Sequence, residues 1–556
     1  MAQGTIRPLS DRLFFIVGNG LFGLNALPFH LIVFATQFAS LALAAWIGAR
    51  LTGSRAAGFL AAALWATSDT AVLPLGWASA YNQVLCGFFL LLAFSFLLRY
   101  VETGQTRYNL YQWIAFLLGF GAMELNIVYP ALAVAYTLLC ARPFLRKVWP
   151  LCAPSVAYFA LHQAAAPAGK DPNYTMHFTG AMLRTLAKYW MWSVGPWDSW
   201  APFAVPKWLI PAAVVAISLG LMAFAATRGR KALFCLAWFA IAIAPVLPLR
   251  DHVTEYYSFL PVVGLCWLAG WALAEAWRAP IGTGIVAGSL AVLYLLIMLP
   301  RTVAASDFHY RLTERVRNLV EGVATAHQLH PSQTILLDGV DTLLFYNGVL
   351  DRPFRLLNVG QVYLTPAGGQ SIDAHPELGD VGEFVMPAGE VAKGLENDAV
   401  AVYDVRGPLL RNITSAYASQ PQDLGLPRRV DVGSPLAASL LGPEWYAPES
   451  NHRWMPKRAS LRMAGPAAAG AKLYLRGYYP AEQLRAGALT VSVTVNGSPL
   501  TPATLPSGGN FELAFALPDA VVGQSTMQVT LEVSRTFRAG ADIRDLGLAF
   551  GEFEVK

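Results

Sequence analysis

Between two long apolar runs, residues 232–249 and 259–277, the chain reads Arg250-Asp-His-Val-Thr-Glu-Tyr-Tyr-Ser-Phe-Leu-Pro. Arg250, Asp251, His252, Glu255 and Tyr256 crowd cations, carboxylates and a proton-carrying phenol into this one loop. Ionisable groups so close to hydrocarbon are costly, and where they persist they usually mark an ion, substrate or phosphate site. The plainer alternative is a solvated turn between helices, with Tyr256 and Tyr257 at headgroup depth. Glu124, in Gly121-Ala-Met-Glu-Leu-Asn-Ile-Val-Tyr-Pro, brings a carboxylate to another apolar boundary, a functional candidate unless that turn surfaces and leaves it merely wet. Asp69, in Ala66-Thr-Ser-Asp-Thr, and the pair Tyr81-Asn82 stand at further span ends on the same face, where they would line a substrate. His30 and His162 sit near helix ends and read as structural hydrogen-bonding groups.

The elements that must position these groups are membrane spans. Of 556 residues, 55% are hydrophobic and 13% charged, against about 25% charged in an ordinary soluble domain. The mean hydropathy is +0.43. Apolar runs, several approaching the ~20 residues needed to cross a bilayer, recur at 27–47, 56–75, 83–98, 111–122, 126–139, 148–161, 208–226, 232–249, 259–277 and 285–299. Every odd-numbered run is followed by basic residues: Arg50 and Arg55; Arg99 and Arg107; Arg142, Arg146 and Lys147; Arg228, Arg230 and Lys231; Arg278. Positive charge stays inside, so residues 76–81, 123–125, 165–207, 250–257 and everything after 301 are expected outside. The net charge of +5 is dispersed in these short clusters, which is a topology signal and excludes a nucleic-acid footprint. The five cysteines lie in or beside apolar runs, leaving the polar half without a disulfide framework or a Cys-based metal site. Residues 1–20 lack the order of a signal peptide. The first run would travel from outside to inside with Arg7 and Arg12 on its outer side, a poor leading segment, so an upstream helix is expected to be missing.

Within the outer stretch 165–207, Met182, Leu183, Leu186 and Trp190 recur at helical spacing while Arg184 and Lys188 fall elsewhere, as in a helix lying in the interface plane. Plain membrane anchoring is the simpler role for it. Trp197, in the aromatic segment that follows, is counted with the substrate-lining residues. After 301 the composition becomes water-soluble. Residues 307–330 read as a charged helix, 334–338 and 399–405 as short buried strands, and 341–350 and 408–417 as helical, a small α/β unit. Residues 489–495 alternate and meet Asn496-Gly497, a hairpin signal, and 511–517, 527–533 and 546–555 add strands of a β-sandwich. The expected fold class is therefore a polytopic α-helical membrane domain (1–301), an outer α/β domain (302–428) and an antiparallel β-sandwich (429–556). Trp445, Tyr446, Trp454, Tyr478 and Tyr479 could stack on sugars, but core and edge packing is the simpler expectation. Glu449, Arg453, Arg544 and Asp545 are expected to form a structural ion network.

Arg7-Pro-Leu-Ser, Phe22-Gly-Leu-Asn-Ala-Leu-Pro-Phe-His30, Leu51-Thr-Gly-Ser-Arg-Ala-Ala-Gly-Phe-Leu-Ala-Ala-Ala-Leu-Trp65, Trp77-Ala-Ser-Ala-Tyr-Asn82 and the loop 252–261 resemble segments of GT-C glycosyltransferases. The branch is that of protein-O-mannosyltransferase-like proteins, including those fused to tetratricopeptide repeats. The resemblance covers residues 7–299. It implies an inverting transferase that moves a sugar from a polyprenyl-phosphate-linked donor to an envelope glycan, lipid or protein acceptor, on the outer face of a bacterial inner membrane. Separately, a sandwich such as that expected at 429–556, on the outer face, resembles carbohydrate-binding modules. In such enzymes an acidic residue in the first outer loop, just before the Arg-Pro segment, acts as base, and that loop is expected to be missing along with the upstream helix. Glu124, Asp251 and Glu255 are the remaining candidates to take the acceptor proton. Arg250, His252 and Tyr256 would hold the departing phosphate. No residue is assigned to a metal, and a divalent cation is the cofactor left open. A non-catalytic scaffold or glycan-binding accessory protein of envelope assembly is the alternative from another class. A transporter is weaker, because no internal repeat is visible.

Overall fold

The computed structural model describes residues 7–165, 175–195, 208–375, 378–419, 426–449, 451–480, 483, 487–505, 508–539 and 542–556; Trp197 lies outside them. The chain forms two compact units, Met1–Arg311 and Leu312–Lys556. The first is helical. Ala26–Thr52, Ala78–Thr103, Ile210–Arg228 and Ile281–Leu329 are each long and apolar enough to cross a bilayer, which makes this a polytopic membrane protein. Each of the first two ends where the backbone must turn left-handed, at Gly53 (φ 77°) and Gly104 (φ 68°). Arg55–Ala66 and Asp69–Gly76 form a broken span bent by 62°, where the sequence reads a single run. The break has a local cause. The Thr67 hydroxyl bonds back to the Ala63 carbonyl (3.0 Å), and Ser68 accepts from the Thr70 N–H (3.4 Å), so side chains replace the helical ladder just before Asp69.

Helices in this unit approach closely through small residues, as they must where hydrophobicity does not separate protein from lipid. A Cβ on Gly270, in Val262–Arg278, would stand 2.6 Å from the Ala57 carbonyl oxygen. One on Gly58 would run into the Ala45 carbonyl. Tryptophans fill the seams, Trp65, Trp238 and Trp267 being fully buried. Past Pro300 the helix Ile281–Leu329 continues without a break, so the charged segment after 307 extends the preceding apolar helix.

In the second unit, strands Val362–Leu364, Thr334–Asp338, Val400–Asp404 and Arg411–Asn412 lie in that spatial order, with Thr334–Asp338 parallel to both of its neighbours. Their continuous apolar character follows from burial on both faces: Leu319 and Val323 pack with one side, Met386 and Val391 with the other. The helical segment expected at 408–417 is instead the strand Arg411–Asn412 followed by the short helix Thr414–Ala418. Two sheets then form the sandwich. One is built on Thr490–Val495, Met527–Val533 and Arg458–Met463, the other on Gly509–Ala516, Lys472–Tyr479 and Ala549–Val555. Asn496 (φ 48°) and Gly497 (φ 84°) make the tight turn that their dipeptide signals.

Most of the sandwich aromatics are structural. Trp445 gives its indole N–H to the Ser460 carbonyl (2.8 Å), Tyr479 is buried, and Trp454 packs on Phe537. Tyr446 ties its hydroxyl to the Asp545 carbonyl beneath Arg544, while Tyr478 stands 44% exposed. Arg544 pairs with Glu449 and Asp542 (2.7 Å each), and Asp545 with Arg538 (2.8 Å). Arg453 donates to the backbone carbonyls of Val432, Tyr446 and Ser434 instead.

Gly58→Val and Gly270→Val are expected to lower the thermal stability of the detergent-solubilised protein by at least the ~1–3 kcal/mol typical of overpacking. Gly220→Ala, with open space around it, should be neutral or slightly stabilising. Equal melting curves for the three would contradict this account of the helix seams. In the second unit, burial and then Asp380 push the Glu383 carboxyl up, against the pull of Arg352. Its contribution is therefore complete below the ordinary value of 4.5 and lost as pH rises through the folded value. Glu383→Gln should melt above the parent at pH 7 and with it near pH 4, as a Tm series across pH would show.

Candidate active site

Several polar clusters interrupt the apolar interior of the first unit. The first is built where the Arg7–Leu13 segment docks on the turn that follows Thr106–Gly119. The Leu9 N–H donates to the Gly121 carbonyl (2.8 Å), and the Ser10 hydroxyl lies 2.6 Å from the Ala122 carbonyl. That docking brings Arg7 onto Glu124: Nε is 3.0 and 2.8 Å from the two carboxylate oxygens, and Nη2 is 2.8 Å from Oε2. Such fork-like pairing is the strongest form of charge-assisted hydrogen bond. His162 Nε2 stands 3.6 Å from Glu124 Oε1, so this histidine belongs to the site. Asp11, one turn after Arg7, is 3.8 Å from its guanidinium, accepts from the Ser10 hydroxyl (3.0 Å) and interacts with the side chain of Asn82.

Burial pushes the Asp11 carboxyl up, against the pull of Arg7 and Ser10. Burial also opposes the charge of Arg7, but Glu124 and then Asp11 outweigh it and hold the guanidinium above its ordinary value. The cluster is partly open to water, with side-chain exposures of 20%, 31% and 26% for Arg7, Asp11 and Glu124. Of the substrate-lining candidates, Asn82 reaches it. Tyr81 does not line it: the ring packs 4.3 Å from Phe14, and the hydroxyl meets that of Thr36 at 3.2 Å.

The loop after Leu249 takes part in the others, dividing what looks continuous in the sequence. Asp251 lies 2.9 Å from His177 Nε2 and 3.3 Å from Arg250 Nε. All three are partly exposed, with Arg250 and Asp251 about half open to solvent. His252 and Tyr256 meet at 3.3 Å, and Tyr257 packs on both rings. Arg7 is within electrostatic reach of Tyr257, which links this cluster to the first. Glu255 turns away. It interacts with Asp69, Arg301 and Lys188, and burial followed by Asp69 pushes its carboxyl up. Asp69 is held by Arg301 Nε at 3.2 Å and by the Thr302 hydroxyl at 2.7 Å.

Arg7, Asp11 and Arg301 are the chemically important residues that pattern reading passes over. Arg7 and Asp11 carried a signal, a cation and a carboxylate at helical spacing in an apolar context. Arg301 stands at the boundary where the composition changes, and its burial (3% exposed) is invisible locally. Among the described residues no group of three or more His, Cys, Asp or Glu side chains could hold a metal ion.

No family model matches the chain, and no curated protein matches it. Solved structures do resemble it. The crystal structure of ArnT from Cupriavidus metallidurans in the apo state is 16% identical, with a TM-score of 0.39 over 72% of this chain and 82% of that one. The structure of the same protein bound to undecaprenyl phosphate is 15% identical, with a TM-score of 0.37 over 72% and 83%. Superpositions at that level assign a role to none of the residues above.

Proposed function

We propose that the protein is a GT-C-type membrane glycosyltransferase. It moves a sugar from a polyprenyl-phosphate-linked donor to an envelope glycan, lipid or protein acceptor on the outer face. One observation carries the reading: two carboxylates, Asp11 and Glu124, flank one guanidinium in a partly exposed cluster at the ends of apolar helices. An inverting displacement needs a carboxylate to take the acceptor proton as the acceptor oxygen attacks the anomeric carbon, and positive charge where the phosphate leaves. Glu124 is engaged by Arg7 in a fork and is best suited to hold the site together. Asp11 is more loosely paired and pushed toward neutrality by burial, which suits a group that must accept and release a proton. Asp251, paired with His177 at the surface, is set aside as the base.

Asp11→Asn is expected to lower sugar transfer about 10²-fold or more, measured in membrane vesicles with a radiolabelled polyprenyl-phosphate sugar, at unchanged expression. Arg7→Ala should cost activity and about 1–3 kcal/mol of stability, because it leaves Glu124 half-buried without its partner. Arg250→Ala should leave stability unchanged. Full activity in Asp11→Asn and Glu124→Gln together would remove the assignment. The same reading places residues after 301 outside, so alkaline phosphatase fused after Lys556 should be active and a fused cytoplasmic reporter dark.

The second reading, a non-catalytic glycan-binding scaffold, draws on the pairing of Glu124, Asp69 and Asp251, each in an ion pair. Glycan binding by a wild-type protein that transfers no sugar would favour it.

A further inference from the structure

Helix Ala181–Val194 packs against the turn Glu255–Ser258, and unmet hydrogen-bonding atoms lie on the helix, on the turn and on Thr254 just before it. Trp192 Nε1, Ser193 Oγ, Thr254 Oγ1 and Ser258 Oγ are buried with no partner among the described residues. Trp192, Ser193 and Ser258 are only 9%, 7% and 0% exposed. An unmet buried group is costly, so elements carrying several of them call for a polar occupant. Two cations border the same turn. The Lys188 ammonium lies 4.8 Å from the centre of the Trp192 ring and interacts with Glu255. Arg301 Nε is 3.2 Å from Asp69 without hydrogen-bond geometry, so its N–H also lacks an acceptor.

The chemistry of these groups is one-sided. An indole, an ammonium and a guanidinium can only donate, and hydroxyls can donate as well. Glu255, pushed up by burial and by Asp69, is shifted toward a form that donates too. An occupant with acceptor oxygens and negative charge would meet these donors, while Asp69 is already paired with Arg301. Another face of the same helix completes the picture. Leu183, Leu186 and Trp190, with Val214, Val215 and Leu219, line an apolar groove of about 640 Å³. Lys188 falls on the helix between the groove-lining Ala187 and Met191 and the buried Trp192. A hydrocarbon tail in the groove would reach the cation through its head group.

We infer that this boundary is the oxyanion subsite for the phosphate of the lipid-linked donor. Lys188 and Trp192 touch the phosphate, Arg301 supplies fixed positive potential, and the lipid chain runs along the groove. The inference rests on the proposed function and moves the phosphate away from Arg250 and His252, which face the His177 side of the loop and Tyr256.

The test uses the full chain in phosphatidylcholine nanodiscs, with farnesyl phosphate as probe and farnesol as its uncharged counterpart. Farnesyl phosphate should bind at least tenfold tighter than farnesol. Lys188→Ala and Trp192→Phe should each weaken it tenfold or more, with Lys188→Arg recovering most of the loss, while Arg250→Ala and His252→Ala bind like the parent. Lys188 is exposed, so its variants should fold, and melting curves report on Trp192→Phe. Unchanged binding in Lys188→Ala and in a folded Trp192→Phe overturns the inference. If Arg250→Ala or His252→Ala alone abolishes binding, the phosphate belongs to the loop and only the inference falls. If the parent prefers farnesol or binds neither probe, the lipid-phosphate donor falls with it.

Discussion

A backbone carbonyl buried among apolar helices has no water to turn to, and in this protein indoles meet that need. Trp65 donates to the Phe259 carbonyl (2.9 Å) and Trp238 to the Leu260 carbonyl (3.1 Å). These bonds fasten the start of Val262–Arg278 to Arg55–Ala66 and to Arg230–Ile243, elements far apart in the chain. Trp267 does the same for the Ala44 carbonyl (2.9 Å). The turn Glu255–Ser258 leads directly into these two anchored carbonyls.

That turn acts as a divider. On one side Tyr257 packs on His252 and Tyr256 and lies within electrostatic reach of Arg7. On the other, Glu255 joins Asp69, Arg301 and Lys188. In the second group two carboxylates stand with two cations, as a low-dielectric interior demands. The matching is looser at Asp11 and Glu255, the carboxylates that burial pushes up. Carboxylates shifted upward in this way tend to occur at sites that exchange protons or receive a charged ligand. The second unit follows a different logic. In its sandwich Trp445, Trp454 and Tyr479 are spent on packing, which leaves Tyr478 as the aromatic among those weighed with substantial open surface.

Much of the architecture was legible in the chain because its causes are local. A long apolar run has no other comfortable solvent than lipid, and alternating valines ending in Asn496-Gly497 can turn in few ways. The active-site candidates were legible only as types. Glu124 and Glu255 stood out as carboxylates out of place, but the sequence offers Arg250, Asp251, His252 and Glu255 as one cluster, and the turn splits them.

By itself the sequence determined the succession of membrane helices, α/β unit and sandwich, together with the list of costly charges, since composition and period act within a few residues. Tertiary structure alone decided the partners. Arg7 meets Glu124 across 117 positions and Thr302 meets Asp69 across 233, because a buried charge is satisfied by whichever helix end the packing brings beside it. The break at Thr67–Ser68 and the close approach at Gly58 and Gly270 settle which ends those are.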